Sequence, residues 1–88
     1  MKLKNQYIIR NVADKAVAIA IENGDGLTDG VITLNSTGAF IFGLVNEGAD
    51  RNTIVARFFE EYDVTREEAA DSVDSFLKNL LESGLAEE

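Results

Sequence analysis

The sequence predicts an α+β domain in which a three-stranded antiparallel sheet is followed by three helices, in the order β-β-β-α-α-α. Two observations carry that prediction. In the first third of the 88-residue chain apolar residues alternate with period two, and from Asn35 onward they recur at helical spacing. A third is the placing of turn-forming residues between the blocks.

The first strand is the β-branched and aromatic run Tyr7-Ile8-Ile9-Arg10, and a turn fits Ala13-Asp14. The second spans Ala16 to Ile21, with Val17, Ile19 and Ile21 on one face and Ala16, Ala18 and Ala20 on the other. The stretch Glu22 to Gly30 is a loop by composition, and Val31-Ile32-Thr33-Leu34 forms the third strand. Asn35 or Ser36 then caps a helix carrying Phe40, Ile41, Leu44 and Val45, with Gly48 just past its end. A second helix starts near Asp50 and shows Ile54, Val55, Phe58, Phe59 and Tyr62 at helical spacing, with Phe58 and Phe59 assigned to the core. The third opens with a capping box, Thr65-Arg66-Glu67-Glu68. It presents Ala69, Val73, Phe76, Leu77 and Leu80 on one face and ends at Gly84-Leu85 in Schellman fashion. Residues 1–88 read as a single domain without repeat or linker.

Composition removes several classes of function. The chain holds no Cys and no His, so thiolate and imidazole metal sites are excluded, as is the usual base for a serine nucleophile. The adjacent carboxylates Glu60/Glu61 and Glu67/Glu68 read as solvated helix faces and a cap, not as a catalytic pair. No cofactor is expected. The Gly24–Gly30 segment lacks the dinucleotide spacing and leads into a strand. As a calcium loop it places Leu34 where the bidentate Glu belongs. Asn35-Ser36-Thr37 matches a glycosylation acceptor but reads as a helix cap. The N-terminal Met1-Lys2-Leu3-Lys4 has no apolar signal region and no run spans a bilayer, so no membrane partner and a cytoplasmic location are expected. The formal charge of −8 disfavours nucleic acid as a partner.

In a meander the first and third strands are edges. The first is flanked by Lys4 and carries Arg10, whereas no charge or proline lies in Gly30–Asn46 around the third strand. Proteins usually blunt such an edge. It is therefore either covered by the protein itself or open to an incoming strand, which would add by backbone hydrogen bonds.

Several segments together resemble the PqqD family along nearly the whole chain. These are the third strand and cap Gly30–Phe40, the segment Phe59-Glu60-Glu61-Tyr62-Asp63-Val64, and the last helix with Val73, Phe76-Leu77 and Leu80-Leu81 before Gly84-Leu85. The resemblance implies a fold similar to a winged helix-turn-helix. It also implies a non-catalytic domain that binds the leader segment of a ribosomally made precursor peptide as an extra strand beside the third helix, then presents it to a modifying enzyme. In PqqD itself that enzyme is a radical S-adenosylmethionine enzyme. Carried over by position, strand pairing falls on Val31, Ile32, Thr33 and Leu34, and the groove wall on Ser72, Val73, Phe76, Leu80 and Ser83. Val73, Phe76 and Leu80 also lie on the face that buries the core, so a structural role stands beside the ligand-binding one. The alternatives are a winged-helix DNA-binding regulator, whose third helix would offer only Arg66 and Lys78, and a self-associating assembly subunit that uses the bare edge.

Overall fold

The computed structural model describes residues 2–3, 6–12, 15–20 and 31–87. Strands β2 (Tyr7–Val12), β3 (Lys15–Ala20) and β4 (Val31–Leu34) form one antiparallel sheet in the order β2-β3-β4. Helices α1 (Ser36–Asn46), α2 (Arg51–Glu61) and α3 (Arg66–Glu82) follow. The expected α+β order is thus observed, and the third strand of the sequence reading is β4. Residues 2–3 (β1) and 86–87 (β5) add a short antiparallel ladder joining the two ends of the chain, which the sequence did not announce. The Ala13-Asp14 turn and the Glu22–Gly30 loop lie outside the described residues.

Local chemistry sets the helix boundaries. Asn35 caps α1 by accepting from the Gly38 N–H at 2.8 Å, and Asp50 caps α2 by accepting from the Thr53 N–H at 2.8 Å. In α3 the capping box is complete: Glu68 N–H donates to Thr65 Oγ1 at 3.1 Å, and Thr65 N–H donates to Glu68 Oε1 at 2.9 Å. At its far end Leu85 N–H reaches the Leu80 carbonyl and Gly84 N–H the Leu81 carbonyl. This is a Schellman closure, and it needs the positive φ of +81° that glycine adopts freely.

The helices cover one face of the sheet. Phe42 is fully buried and meets the rings of Tyr7 and Phe76 edge-on, with centroids 5.0 and 6.5 Å away. Beneath this layer β3 contributes its small side: Ala16 and Ala18 are buried, while Ile19 on the other face is exposed. Phe58 is in the core as expected. Phe59 is half-buried, with the Arg66 guanidinium 4.5 Å above its ring.

Candidate functional site

Among the described residues, strand pairing leaves β2 and β4 as edges, and they are not equivalent. At β2, the side-chain amide of Asn46 pairs with the backbone of Tyr7. Tyr7 N–H donates to Asn46 Oδ1 at 3.2 Å, and Asn46 Nδ2–H donates to the Tyr7 carbonyl at 2.8 Å. The amide acts as a one-residue partner strand and occupies that end of the edge. This use also sets the phase of the sheet, because N–H and C=O groups alternate sides residue by residue. The backbone N–H and C=O of Tyr7 turn away from β3, so Ile8 pairs with Ile19, Ala18 with Ile32, and Ala16 with Leu34 through backbone bonds. On β4 the backbone groups of Val31 and Thr33 are therefore the ones turned to the open side. Of the two charges expected to blunt β2, Arg10 is exposed on the strand and Lys4 lies outside the described residues.

No Cα of α3 comes within 8 Å of a Cα of β4. Where β4 passes into α1 a cavity of about 270 Å³ opens. Asn35, Thr37, Gly38 and Ile41 line it from the α1 side, and Ser72, Ser75, Phe76 and Asn79 from α3. Among the described residues no charged group lines it. Thr37 Oγ1 donates to Asn35 Oδ1 at 3.2 Å, which ties one hydroxyl to the cap.

Two of the nine residues named from the sequence, Ser72 and Phe76, line this cavity. Leu34 is buried in the core, Ile32 is half-buried and Thr33 is exposed. Val73 and Leu80 are 0 and 4 % exposed and face the core. Ser83 is the C-cap of α3, with its hydroxyl donating to the Leu80 carbonyl. Ser75 and Asn79 were not named, although the neutral stripe Ser72, Ser75, Phe76, Asn79 stands out in a helix of carboxylates. Asn35, Thr37, Gly38 and Ile41 come from a different element and carry no comparable signal.

The acidity of α3 is largely turned elsewhere. Arg51 grips Asp74 with two bonds, Nε to Oδ1 at 2.9 Å and Nη2 to Oδ2 at 2.8 Å, and Lys78 approaches Glu82 at 4.0 Å. The hydrogen bond from Arg51, helped by its charge, holds the Asp74 carboxyl below the usual carboxylate range. A depressed folded-state value means that the pair stabilises the fold above the ordinary carboxylate range and loses that effect as pH falls through the lowered value. Arg51→Ala is expected to return the Asp74 titration, followed by carboxyl carbon shifts, toward the unperturbed value. No upward movement would show that the pair does not form in solution.

Gly38 is where α1 passes closest to Phe76. A Cβ there would lie 2.9 Å from Asn35 Oδ1 and 3.2 Å from Phe76 Cε1. Gly38→Ala must therefore displace the cap or the ring. A stability loss of about 1–2 kcal/mol is expected from the cap and overpacking. Thermal unfolding checks it, and an unchanged midpoint would mean that the helix entrance is looser than described.

Among the described residues no helix is long and apolar enough to cross a membrane, and no cluster of His, Cys, Asp and Glu could hold a metal. The family model described as coenzyme PQQ synthesis protein D (PqqD) matches residues 16–86. Among solved structures the chain is similar to TbiB1 in complex with the TbiA(beta) leader peptide. The TM-score is 0.72 and the identity 25%, over 97% of this chain and 93% of that one. No curated protein matches the chain.

Proposed function

The chain belongs to the PqqD family, and from that premise we propose that it binds the leader segment of a ribosomally synthesised precursor peptide as an added strand on β4. It then delivers the peptide to a separate modifying enzyme, of the radical S-adenosylmethionine class or another. The observation that carries this reading is the β4 edge, unpaired among the described residues and leading into a cavity between α1 and α3 lined by neutral side chains. The likeness to a domain solved with a leader peptide supports the same reading.

In this reading the backbones of Val31 and Thr33 exchange hydrogen bonds with the peptide, and alternate peptide side chains turn toward α3. Ser72, Ser75, Phe76 and Asn79 form the wall. Ile32, Leu34, Val73 and Leu80 hold strand and helix in place from the core side, and Ser83 fixes the end of α3. The domain contributes binding and orientation, and the chemistry is left to the partner.

The test is a peptide selection from a displayed library, followed by amide-shift mapping with the selected sequence. Shifts concentrated on Val31–Leu34 and on Ser72, Ser75, Phe76 and Asn79, with affinity in the low micromolar range or tighter, are expected. Duplex DNA that shifts α3 amides in a salt-dependent way, while no peptide binds, would overturn the reading in favour of a DNA-binding regulator.

A further inference from the structure

The large apolar side chains exposed among the described residues are Ile8, Val12 and Ile19, at 47, 56 and 36 %. All three lie on one surface, the face of the sheet turned away from the helices. Ile8 pairs with Ile19, and Arg10 pairs with the half-buried Val17 between Ile8 and Val12. β3 uses its two faces in an unusual sense. Ala16 and Ala18 close the core, while Ile19 faces solvent and Val17 is half-buried on the same outer side. Strand propensity alone would be met there by threonine. A contiguous apolar strip on so charged a protein marks a contact surface.

Charge indicates what covers it. On this face the charged groups among the described residues are Arg10 and Lys15, both exposed cations. Every carboxylate among the described residues belongs to the helices, their caps and connections, or β5. A helix is about 10–12 Å across, and exposed charges are screened over about 8 Å at physiological salt. Among the described residues, a partner seated on the sheet therefore meets the cations and not the acidic helical surface. A second copy stacked by a two-fold axis would bring two faces carrying the same cations together, which disfavours it.

We propose that this outer sheet face docks the enzyme that acts on the bound peptide, through an apolar patch ringed by aspartate or glutamate. The leader dependence of this docking rests on the strand-addition reading. Residues paired across strands share a face, so Thr33 lies on the side of Val17. A peptide strand added at β4 extends that same surface, and its outward side chains join the partner's seat. The partner thus binds the loaded domain more tightly than the empty one.

The test places photoreactive p-benzoylphenylalanine at Val12, with Ala56 on α2 as the control position, in the full chain within the producing cells. The cross-linked protein is identified and purified, and its affinity for the chain is measured with and without a display-selected leader peptide. A catalytic protein captured from Val12 and not from Ala56 is expected. Its affinity should fall at least tenfold with Ile8→Glu and about fivefold or more with Arg10→Glu, and it should rise severalfold with leader peptide. Leader affinity itself should stay within twofold in both variants, and circular dichroism confirms that both are folded. Affinity unmoved by either variant, no capture at Val12, dimerisation that Ile8→Glu abolishes, or binding to phosphatidylserine vesicles in place of a protein would each overturn the proposal. If the partner binds this face but no leader adds to β4, the strand-addition reading falls and the docking surface stands. The reverse result sinks the docking surface alone.

Discussion

Phe42→Ala is expected to cost about 3–5 kcal/mol, the usual range for removing a fully buried phenylalanine. Phe42 is 0 % exposed and joins all three layers of the core. Its ring meets Tyr7 on the sheet and Phe76 on α3 while its own backbone belongs to α1. Its removal leaves a cavity among groups anchored on separate elements, which cannot collapse together. A chain of this size has roughly 5–10 kcal/mol of total stability, so the variant should lose about half of it. At about 4–8 °C per kcal/mol, the midpoint should fall by more than about 12 °C. Thermal unfolding followed by circular dichroism measures this directly. A loss below about 1 kcal/mol would mean that the aromatic stack is not what joins the sheet to the helices. The cavity beside Phe76 should open in the same variant, so peptide binding should weaken even below the melting point.

The second large effect is on binding. Thr33→Pro removes a backbone N–H that the phase of the sheet turns toward the open side of β4. The strand bonds to β3 are made by Ile32 and Leu34, and proline is tolerated at such an edge position. The fold should survive, while the peptide loses a donor and leaves a carbonyl unpaired, at about 1–3 kcal/mol. Affinity should fall tenfold or more. Thr33→Ala is the paired control, because the exposed side chain points away from the groove and the backbone donor remains. Binding within about twofold of the parent is expected there. Equal losses in the two variants would show that the side chain, and not the ladder, carries recognition. No loss in Thr33→Pro would remove strand addition at this edge from consideration.

The contrast between these two positions reflects what a linear sequence carries. Phe42 lies in the apolar run Ala39–Val45, which marks a packed helix, although the face drawn from spacing, Phe40, Ile41, Leu44 and Val45, left it out. Thr33 matters through the direction of its N–H, and that direction follows from Asn46, 39 residues from Tyr7 in sequence. The same division runs through α3. Periodicity identified its buried stripe, but its groove-lining residues were only partly named. Whether a residue at the border of the stripe meets the core or the gap depends on where α1 passes, and Gly38 allows α1 to pass close to Phe76. Val73 and Leu80 fell to the core, while Ser75 and Asn79 reached the cavity.

The sequence by itself determined the order of the three-stranded sheet and the three helices, and the helix ends. Those depend on groups within a turn of one another: Asn35 with Gly38, Asp50 with Thr53, Thr65 with Glu68, and Gly84-Leu85 with the last carbonyls of α3. Through the lack of Cys and His it also removed thiolate and imidazole chemistry. Only the tertiary structure decided which face of β3 is buried. Alternation defines two faces but does not rank them, and hydropathy alone would favour burying Val17 and Ile19. The aromatic rings of Tyr7, Phe42 and Phe76 fill the space between sheet and helices, so β3 can contribute only alanine-sized groups beneath them. The larger residues are thereby left on the outside, where another surface can meet them.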